Sequence, residues 1–327
     1  MPPTPCQMAA VAQVLAGRGR CPEPATWGAG RAPVNIALCK YWGKRDSELN
    51  LPLTDSLSLS LPPLGTETRL RLRPGADQCR LNGQLLTPDQ GFARRLTAYL
   101  DLFRPAPDLG FEVATVNHVP TGAGLASSAS GFAALVLALD QLFGWGLGRR
   151  ELSLLARMGS GSACRSLYHG AVHWQRGNAA DGHDSYAVPI ACDWPDLCLG
   201  LLVLSQAAKP ASSRDAMGQT VASSQLYAAW PGQVGRDLAS LKTALATRDF
   251  ELLGRTSEHN ALSMHATMLS AWPPVCYWLP ESLTAIRRVW DLRNRGLAVY
   301  LTMDAGPNLK LLFPASARAA LQAEFPD

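Results

Sequence analysis

At 327 residues the chain is long enough for two domains or one large one. With 47% hydrophobic and 17% charged residues it reads as a folded globular protein and not a disordered one. Thirty basic residues against 26 acidic ones leave a net charge of +4. The excess is not gathered into a stripe, so nucleic acid is not an expected partner, whereas a small anionic substrate is compatible. Eight cysteines without one C-x-x-C pair exclude a zinc ribbon or a dithiol redox motif and suit a reducing, cytoplasmic setting.

Residues 1–30 hold Pro2, Pro3, Pro5, Pro22 and Pro24 and read as a loosely ordered N-terminal extension with one short helix near 9–16. They lack the positive start and cleavage site of a secretory signal. Strand patterns follow at 34–38, at 56–61 where Ser and Leu alternate, and at 68–72 where Arg and Leu alternate. Leu81-Asn82-Gly83 marks a hairpin turn. Residues 92–103 place Phe92, Leu96, Leu100 and Phe103 on one helical face, and 111–116 is another strand. The apolar helix 131–143 contains an eight-residue run stopped by Asp140, well short of a membrane span. A short helix at 151–157 and strands at 167–174 and 197–204 come next. Beyond residue 207 the pattern turns helical, at 214–226, 233–247, 250–268 and 282–296. Strands at 298–303 and 309–313 close the chain. A β-rich first half and a helix-rich second half predict an α+β protein of two lobes, 31–200 and 201–327.

Five segments carry residues suited to chemistry. Pro120 to Ala129 is a turn of small residues between a strand and an apolar helix, where unpaired N–H groups make an anion site and Ser127 and Ser128 add hydroxyls. It lacks the Gly-Lys-Ser/Thr of a Walker A loop, and a plain Ser-capped turn explains it equally well. Gly159 to Arg165 combines two serines with an arginine able to grip a phosphate or carboxylate, or is simply a polar loop. In 35–45, Lys40, Lys44 and Arg45 with two aromatics offer a face to a polyanion, or a solvated loop. In 209–217, Ser212 or Ser213 caps a helix flanked by Lys209 and Arg214. In 302–308, Asp304 stands at a strand end beside Gly306-Pro307, either exposed to a cleft or serving the turn. His169 and His173 are spaced for a helical metal site, but 168–174 reads as a strand, which would set them about 13 Å apart.

Taken together these segments resemble the GHMP superfamily of small-molecule kinases, and within it the mevalonate diphosphate decarboxylases. The carrying residues are Ala32 to Arg45 (Ala-Pro-Val-Asn-Ile-Ala-Leu-Cys-Lys-Tyr-Trp-Gly-Lys-Arg), Ser56-Leu57-Ser58, Pro120 to Ala129 and Gly159 to Tyr168. His265-Ala266-Thr267, Pro273-Pro274 and Asp304 to Asn308 complete the series, in the family's order over roughly residues 31–315. The resemblance implies a two-lobed GHMP kinase-like fold, with an N-terminal lobe like domain 2 of ribosomal protein S5 and a ferredoxin-like, helix-rich C-terminal lobe. It implies ATP- and Mg²⁺-dependent decarboxylation of mevalonate 5-diphosphate to isopentenyl diphosphate by a cytoplasmic homodimer, with no nucleic acid or membrane partner. By the same resemblance Asp304, Arg165 and Lys44 are catalytic. Asn35, Tyr41, Lys44, Ser160, Gly161, Ser162, Arg165, Ser213 and Met217 bind substrate. Gly122, Ala123, Gly124, Leu125, Ala126, Ser127, Ser128, Lys209 and Ser213 hold ATP, with Ser127 at the metal. The other chemistries open to this sequence are a GHMP kinase that phosphorylates without decarboxylating, and action on mevalonate or its monophosphate.

Overall fold

The computed structural model describes residues 3–18, 24–119, 127–207 and 211–326. Helix α1 (Pro5–Leu15) precedes strands β1 (Gly28–Cys39), β2 (Lys44–Asp46), β3 (Leu51–Pro52), β4 (Ser56–Pro74), β5 (Gln78–Leu81) and β6 (Gln84–Leu85). Then come α2 (Gly91–Leu100), β7 (Leu109–Asn117), α3 (Ser127–Phe143), α4 (Arg149–Gly159), a 3₁₀ turn (Gly161–Leu167), β8 (Ala171–Trp174) and β9 (Ala187–Ile190). The second half contains β10 (Leu197–Leu202), α5 (Ser213–Ser223), α6 (Trp230–Thr247), α7 (Phe250–Leu269), α8 (Pro280–Asn294), β11 (Tyr300–Met303), β12 (Leu309–Pro314) and α9 (Arg318–Glu324).

The first lobe is built on a mixed sheet in the order β6-β5-β7-β4-β8-β9, with β1 also paired to β4, and β2 and β3 form a separate two-stranded sheet. The two strand patterns at 56–61 and 68–72 belong to a single 19-residue strand, β4. Its partner β1 jumps from Pro33↔Gly65 to Val34↔Leu61, so Pro62, Pro63 and Leu64 bulge out where prolines need supply no ladder N–H. The pattern at 167–174 divides instead, into the end of the 3₁₀ turn and the shorter β8, which pairs with β4 through Ser56↔Trp174 and Ser58↔Val172. Helix α3 lies against β1. The approach is so close that a Cβ on Gly28 or Gly30 would collide with the carbonyls of Ala138 and Ala134.

The second lobe is a three-stranded antiparallel sheet, β10-β12-β11, with α7 and α8 packed against β11. The two lobes share a core. Leu38, Trp42 and Leu57 of the first pack with Met217, Trp230, Leu241, Met264 and Leu312 of the second. The N-terminal segment departs from the loose extension expected of it. Thr4 and Gln7 form a reciprocal capping box at the start of α1, and Val11 and Leu15 are buried in the first-lobe core beside Leu152 and Leu155 of α4. The prolines that suggested disorder include Pro5 in the first turn of the helix, where proline is favourable. No described helix is long and apolar enough to cross a membrane.

Candidate active site

Asp304 follows the last residue of β11, where the chain turns into β12. Gly306 N–H donates to the Asp304 carbonyl at 2.8 Å, and the Asn308 amide oxygen accepts from Leu204 and Ser205 N–H at 2.8 and 2.9 Å. The turn is thereby tied to the end of β10. The Asp304 carboxylate meets two buried ammonium groups. Lys40 Nζ is 2.9 Å from Oδ1 and Lys310 Nζ is 3.1 Å from Oδ2. Lys40 also donates to the Ala37 carbonyl at 2.6 Å. Burial alone would favour the neutral acid. Lys310 and then Lys40 outweigh it and hold the carboxyl well below the usual carboxylate range. His265 of α7 donates its Nε2–H to the Asp304 main-chain oxygen at 3.1 Å. Burial and the nearby Lys40 push this imidazole down to about 3, so it is neutral.

Arg165, in the 3₁₀ turn, is 3% exposed, and its guanidinium reaches only neutral acceptors. They are Asn35 Oδ1 at 3.2 Å, Ser58 Oγ at 3.1 Å and Ser56 Oγ at 2.6 Å. The alternation of Ser and Leu along β4 puts both serine hydroxyls on the face turned toward Arg165. Asn35 donates to Ser166 Oγ and the Ser162 carbonyl, which fixes its amide so that the oxygen faces the arginine. Among the described residues no carboxylate forms an ion pair with Arg165. A buried cation without a counter-ion is costly, and an incoming anion removes that cost.

Lys44 is a second cationic position. Lys44 on β2 donates to Asn50 Oδ1 at 2.6 Å, and Asn50 is held in turn by the carbonyls of Arg157 and Met158. Burial first, then the proximity of Arg214, push the Lys44 ammonium down to about 8. The Tyr41 ring stands edge-on to Trp174 at 4.8 Å, and its buried hydroxyl has no hydrogen-bond partner among the described residues. Gly161 is packed against both rings; a Cβ there would come within 2.9 Å of each. Ser160 Oγ lies 3.4 Å from Ser128 Oγ, joining this turn to the first turn of α3. In α5, Ser212 rather than Ser213 is the cap, its Oγ accepting from Asp215 N–H. Ser213 is half-buried in the first turn, and Met217 is buried in the shared core.

The structure therefore brings Asn35, Arg165, Ser162 and the 3₁₀ turn together with Asp304 and Lys40. It separates the three cations of 40–45. Lys40 turns to Asp304, Lys44 to Asn50, and Arg45 to the carbonyls of Arg176 and Ala179. They do not form one face. Gly122, Ala123, Gly124, Leu125, Ala126 and Lys209 lie outside the described residues, as does the side chain of Ser127. His173 is on strand β8 and bonds Asp55 at 2.9 Å. Lys310 was not read from the sequence. Its signal was a lone charge inside the apolar run Leu309-Lys310-Leu311-Leu312-Phe313.

The sequence matches two family profiles. One is described as the diphosphomevalonate decarboxylase-like N-terminal domain (residues 32–187), the other as the mevalonate 5-diphosphate decarboxylase C-terminal domain (residues 200–324). A diphosphomevalonate decarboxylase of Aspergillus fumigatus is 40% identical over 305 residues, covering 86% of this chain and 75% of the relative. One from Saccharomyces cerevisiae is 38% identical over 313 residues, covering 89% and 79%. Among solved structures, mevalonate diphosphate decarboxylase from Staphylococcus aureus superposes with a TM-score of 0.86 at 39% identity over 91% of each chain. A complex of the protein designated MDDEF with MVAPP, AMPPCP and magnesium superposes with a TM-score of 0.86 at 40% identity, over 91% of this chain and 92% of that one.

Proposed function

The chain belongs to the diphosphomevalonate decarboxylase family, and from that premise we infer an ATP- and Mg²⁺-dependent decarboxylation of mevalonate 5-diphosphate. The products are isopentenyl diphosphate, ADP, phosphate and CO₂. The fold is the two-lobed GHMP kinase-like α+β architecture, and the substrate binds between lobes that divide near residue 200. The observation that carries the reading is Arg165. It is a buried guanidinium with only neutral partners among the described residues, close enough to Asp304 to feel its charge. A substrate carboxylate supplies the missing counter-ion, and the planar fork orients it. The substrate's tertiary hydroxyl then lies against Asp304, which receives its proton as that oxygen takes the γ-phosphoryl group. Departure of phosphate leaves positive charge on the same carbon, and the neighbouring carboxylate leaves as CO₂.

The described residues fit a diphosphate, and most of those the family resemblance assigns to the nucleotide lie outside the described ones. Lys44, Tyr41, Ser160, Gly161 and Ser162 face the diphosphate, whose charge would restore the Lys44 ammonium from its depressed value. The Tyr41 hydroxyl, which has no partner among the described residues, supports that role, because a buried phenol without an acceptor carries a cost that a phosphate oxygen relieves. By the family resemblance Ser127, Ser128 and residues 122–126, which precede α3 in the sequence, would receive the ATP phosphates with help from Ser213 and Lys209, while Met217 is buried in the shared core. No described group of three or more acidic, histidine or cysteine side chains is arranged to cage a metal. This suits Mg²⁺, which prefers a hydroxyl or carboxylate or two plus phosphate oxygens. When bound, Mg²⁺ neutralises charge on the phosphates. The setting is a reducing cytoplasm and the assembly a homodimer; the free thiols of all seven described cysteines support the first, and the family resemblance supports the second.

The test is incubation with ATP, Mg²⁺ and mevalonate 5-diphosphate, with mevalonate and its monophosphate in parallel, followed by assay of ADP, phosphate and CO₂. CO₂ is expected from the diphosphate. A stable phosphorylated acid without CO₂ would mean a kinase instead. Asp304→Asn should lower turnover by at least about 100-fold, since it removes the proton acceptor while keeping the shape.

A further inference from the structure

The carboxylate of Asp304 is held by one ammonium on each oxygen: Lys40, just past the end of β1, on Oδ1 and Lys310 from β12 on Oδ2. Both lysine side chains are 2% exposed, while Asp304 keeps 23% of its side-chain surface open. Lys310 pairs in register with Thr302, two residues before Asp304, so the three side chains rise from one face of the β11–β12 ladder. The terminal torsion of aspartate is broad and two-fold, so a single contact leaves the carboxylate free to swing. Two contacts on opposite oxygens fix its plane. We propose that Lys310 is a positioning residue for the decarboxylation, pinning Oδ2 so that the remaining lone pairs of the Asp304 carboxylate face the substrate's tertiary hydroxyl. The inference rests on the role given to Asp304 above.

The chemistry at this position depends on charge and not on volume. Leu309 and Leu311 on either side of Lys310 belong to an apolar core, and a methionine would fill the same space without burying an ammonium. The charged groups that face Asp304 are Lys40 just past the end of β1, Lys310 of β12 and Arg165 of the 3₁₀ turn, and the neutral His265 of α7 faces its main-chain side. Lys310 and Lys40 together keep the Asp304 carboxyl low, and the charge of Lys310 is the first of these opposing influences. Its loss therefore raises the pH at which Asp304 takes a proton, as well as freeing its plane.

The experiment compares wild type with Lys310→Met by pH-dependent steady-state kinetics. It also follows carboxyl ¹³C NMR of aspartate-labelled protein, with the Asp304 signal assigned by its loss in Asp304→Asn. In wild type the Asp304 signal should stay ionised at least about one pH unit below the free aspartate value near 3.9. In Lys310→Met that titration and the acid limb of kcat should both move up by at least about one unit. Turnover at neutral pH should fall by about tenfold to a hundredfold. KM for mevalonate 5-diphosphate should change little, because other residues hold the diphosphate. An unchanged acid limb with normal turnover per folded molecule, and only a lower melting temperature, would make Lys310 a structural residue and overturn the proposal. Should Lys310→Met fail to fold, titration of Asp304 in the ordinary aspartate range in wild type overturns it equally. Absence of CO₂ release by wild type would overturn the functional reading instead, and the carboxyl titration still decides whether Lys310 controls Asp304.

Discussion

Arg165 carries its charge into the interior without an acidic partner among the described residues, and that determines what a conservative change does. Its Nε is shared between Asn35 and Ser58, and one terminal nitrogen is taken by Ser56. The contacts fix the plane of the guanidinium and leave its far side for a carboxylate. Arg165→Lys keeps the charge but loses the planar fork, and a single ammonium cannot satisfy three neutral acceptors and a carboxylate together. The lysine variant should lose at least about 1.5–3 kcal/mol of transition-state stabilisation, the range of a charged hydrogen bond, while affinity for ATP alone is nearly unchanged. Steady-state kcat/KM against nucleotide binding by calorimetry measures the two. Near-normal kcat/KM for the lysine variant would exclude a bidentate carboxylate contact. The sequence made Arg165 legible because Gly-Ser-Ala-Cys-Arg stands in a recognisable order. It gave no hint that Ser56 and Ser58, about 110 positions earlier, hold the guanidinium, since β4–β8 pairing creates that contact. Lys310 was hidden for the same reason: only the β11–β12 register brings it to Asp304.

The candidate ATP-binding turn leads into α3, and α3 is seated by its packing on β1. Gly28 and Gly30 let the helix backbone approach the strand, and their missing side chains are the condition for it. Gly30→Ala would press a methyl into the Ala134 carbonyl, and backbone cannot step aside as a side-chain tip can. Overpacking of this kind costs about 1–3 kcal/mol. Because the displaced element is the one that carries Ser127 and Ser128, the variant should also bind ATP more weakly, more so than a change at the half-buried Gly131 such as Gly131→Ala, which meets nothing within 4 Å among the described residues. Chemical denaturation and nucleotide titration of the two variants separate these effects; equal losses in both would refute the packing argument. Long periodic elements such as α3, α6 and α7 were legible because their apolar spacing is sustained over many residues. The two-residue strands β3 and β6 and the three-residue β2 were too short to show a period; only Asn82-Gly83 announced the hairpin at β6. The single span of β4 was obscured by Pro62 and Pro63, whose bulge reads in sequence as a break.

At the scale of the molecule, the two lobes are joined at the candidate site itself. Trp42 offers its carbonyl to Tyr227 and Trp230, and the Lys40 main-chain N–H donates to Asn260, which donates to Asp237. His265 belongs to this seam, buried on α7 with Nε2–H on the Asp304 carbonyl and its ring tilted over Trp278 at 5.3 Å. Its imidazole is pushed from 6.5 down to about 3, by burial first and by Lys40 second. Above pH 6.5 neither the folded nor the unfolded chain protonates this histidine, so it adds no pH dependence. Between 6.5 and about 3 only the unfolded chain takes the proton, and stability falls as the pH falls. Relative to its plateau at higher pH, this one group should cost about 2 kcal/mol at pH 5. Asp304 does not confuse the measurement. Its folded value lies below the ordinary 3.8, so the stability it contributes is intact above that value and is lost only further down. His265→Gln can still donate an N–H to the Asp304 carbonyl but has no proton to gain. Denaturant unfolding of wild type and His265→Gln at pH 7.5 and pH 5 should therefore show the wild type losing about 2 kcal/mol more than the variant over that interval. Equal losses would mean that His265 is already protonated in the fold, and the neutral donor assigned to the Asp304 turn would have to be abandoned.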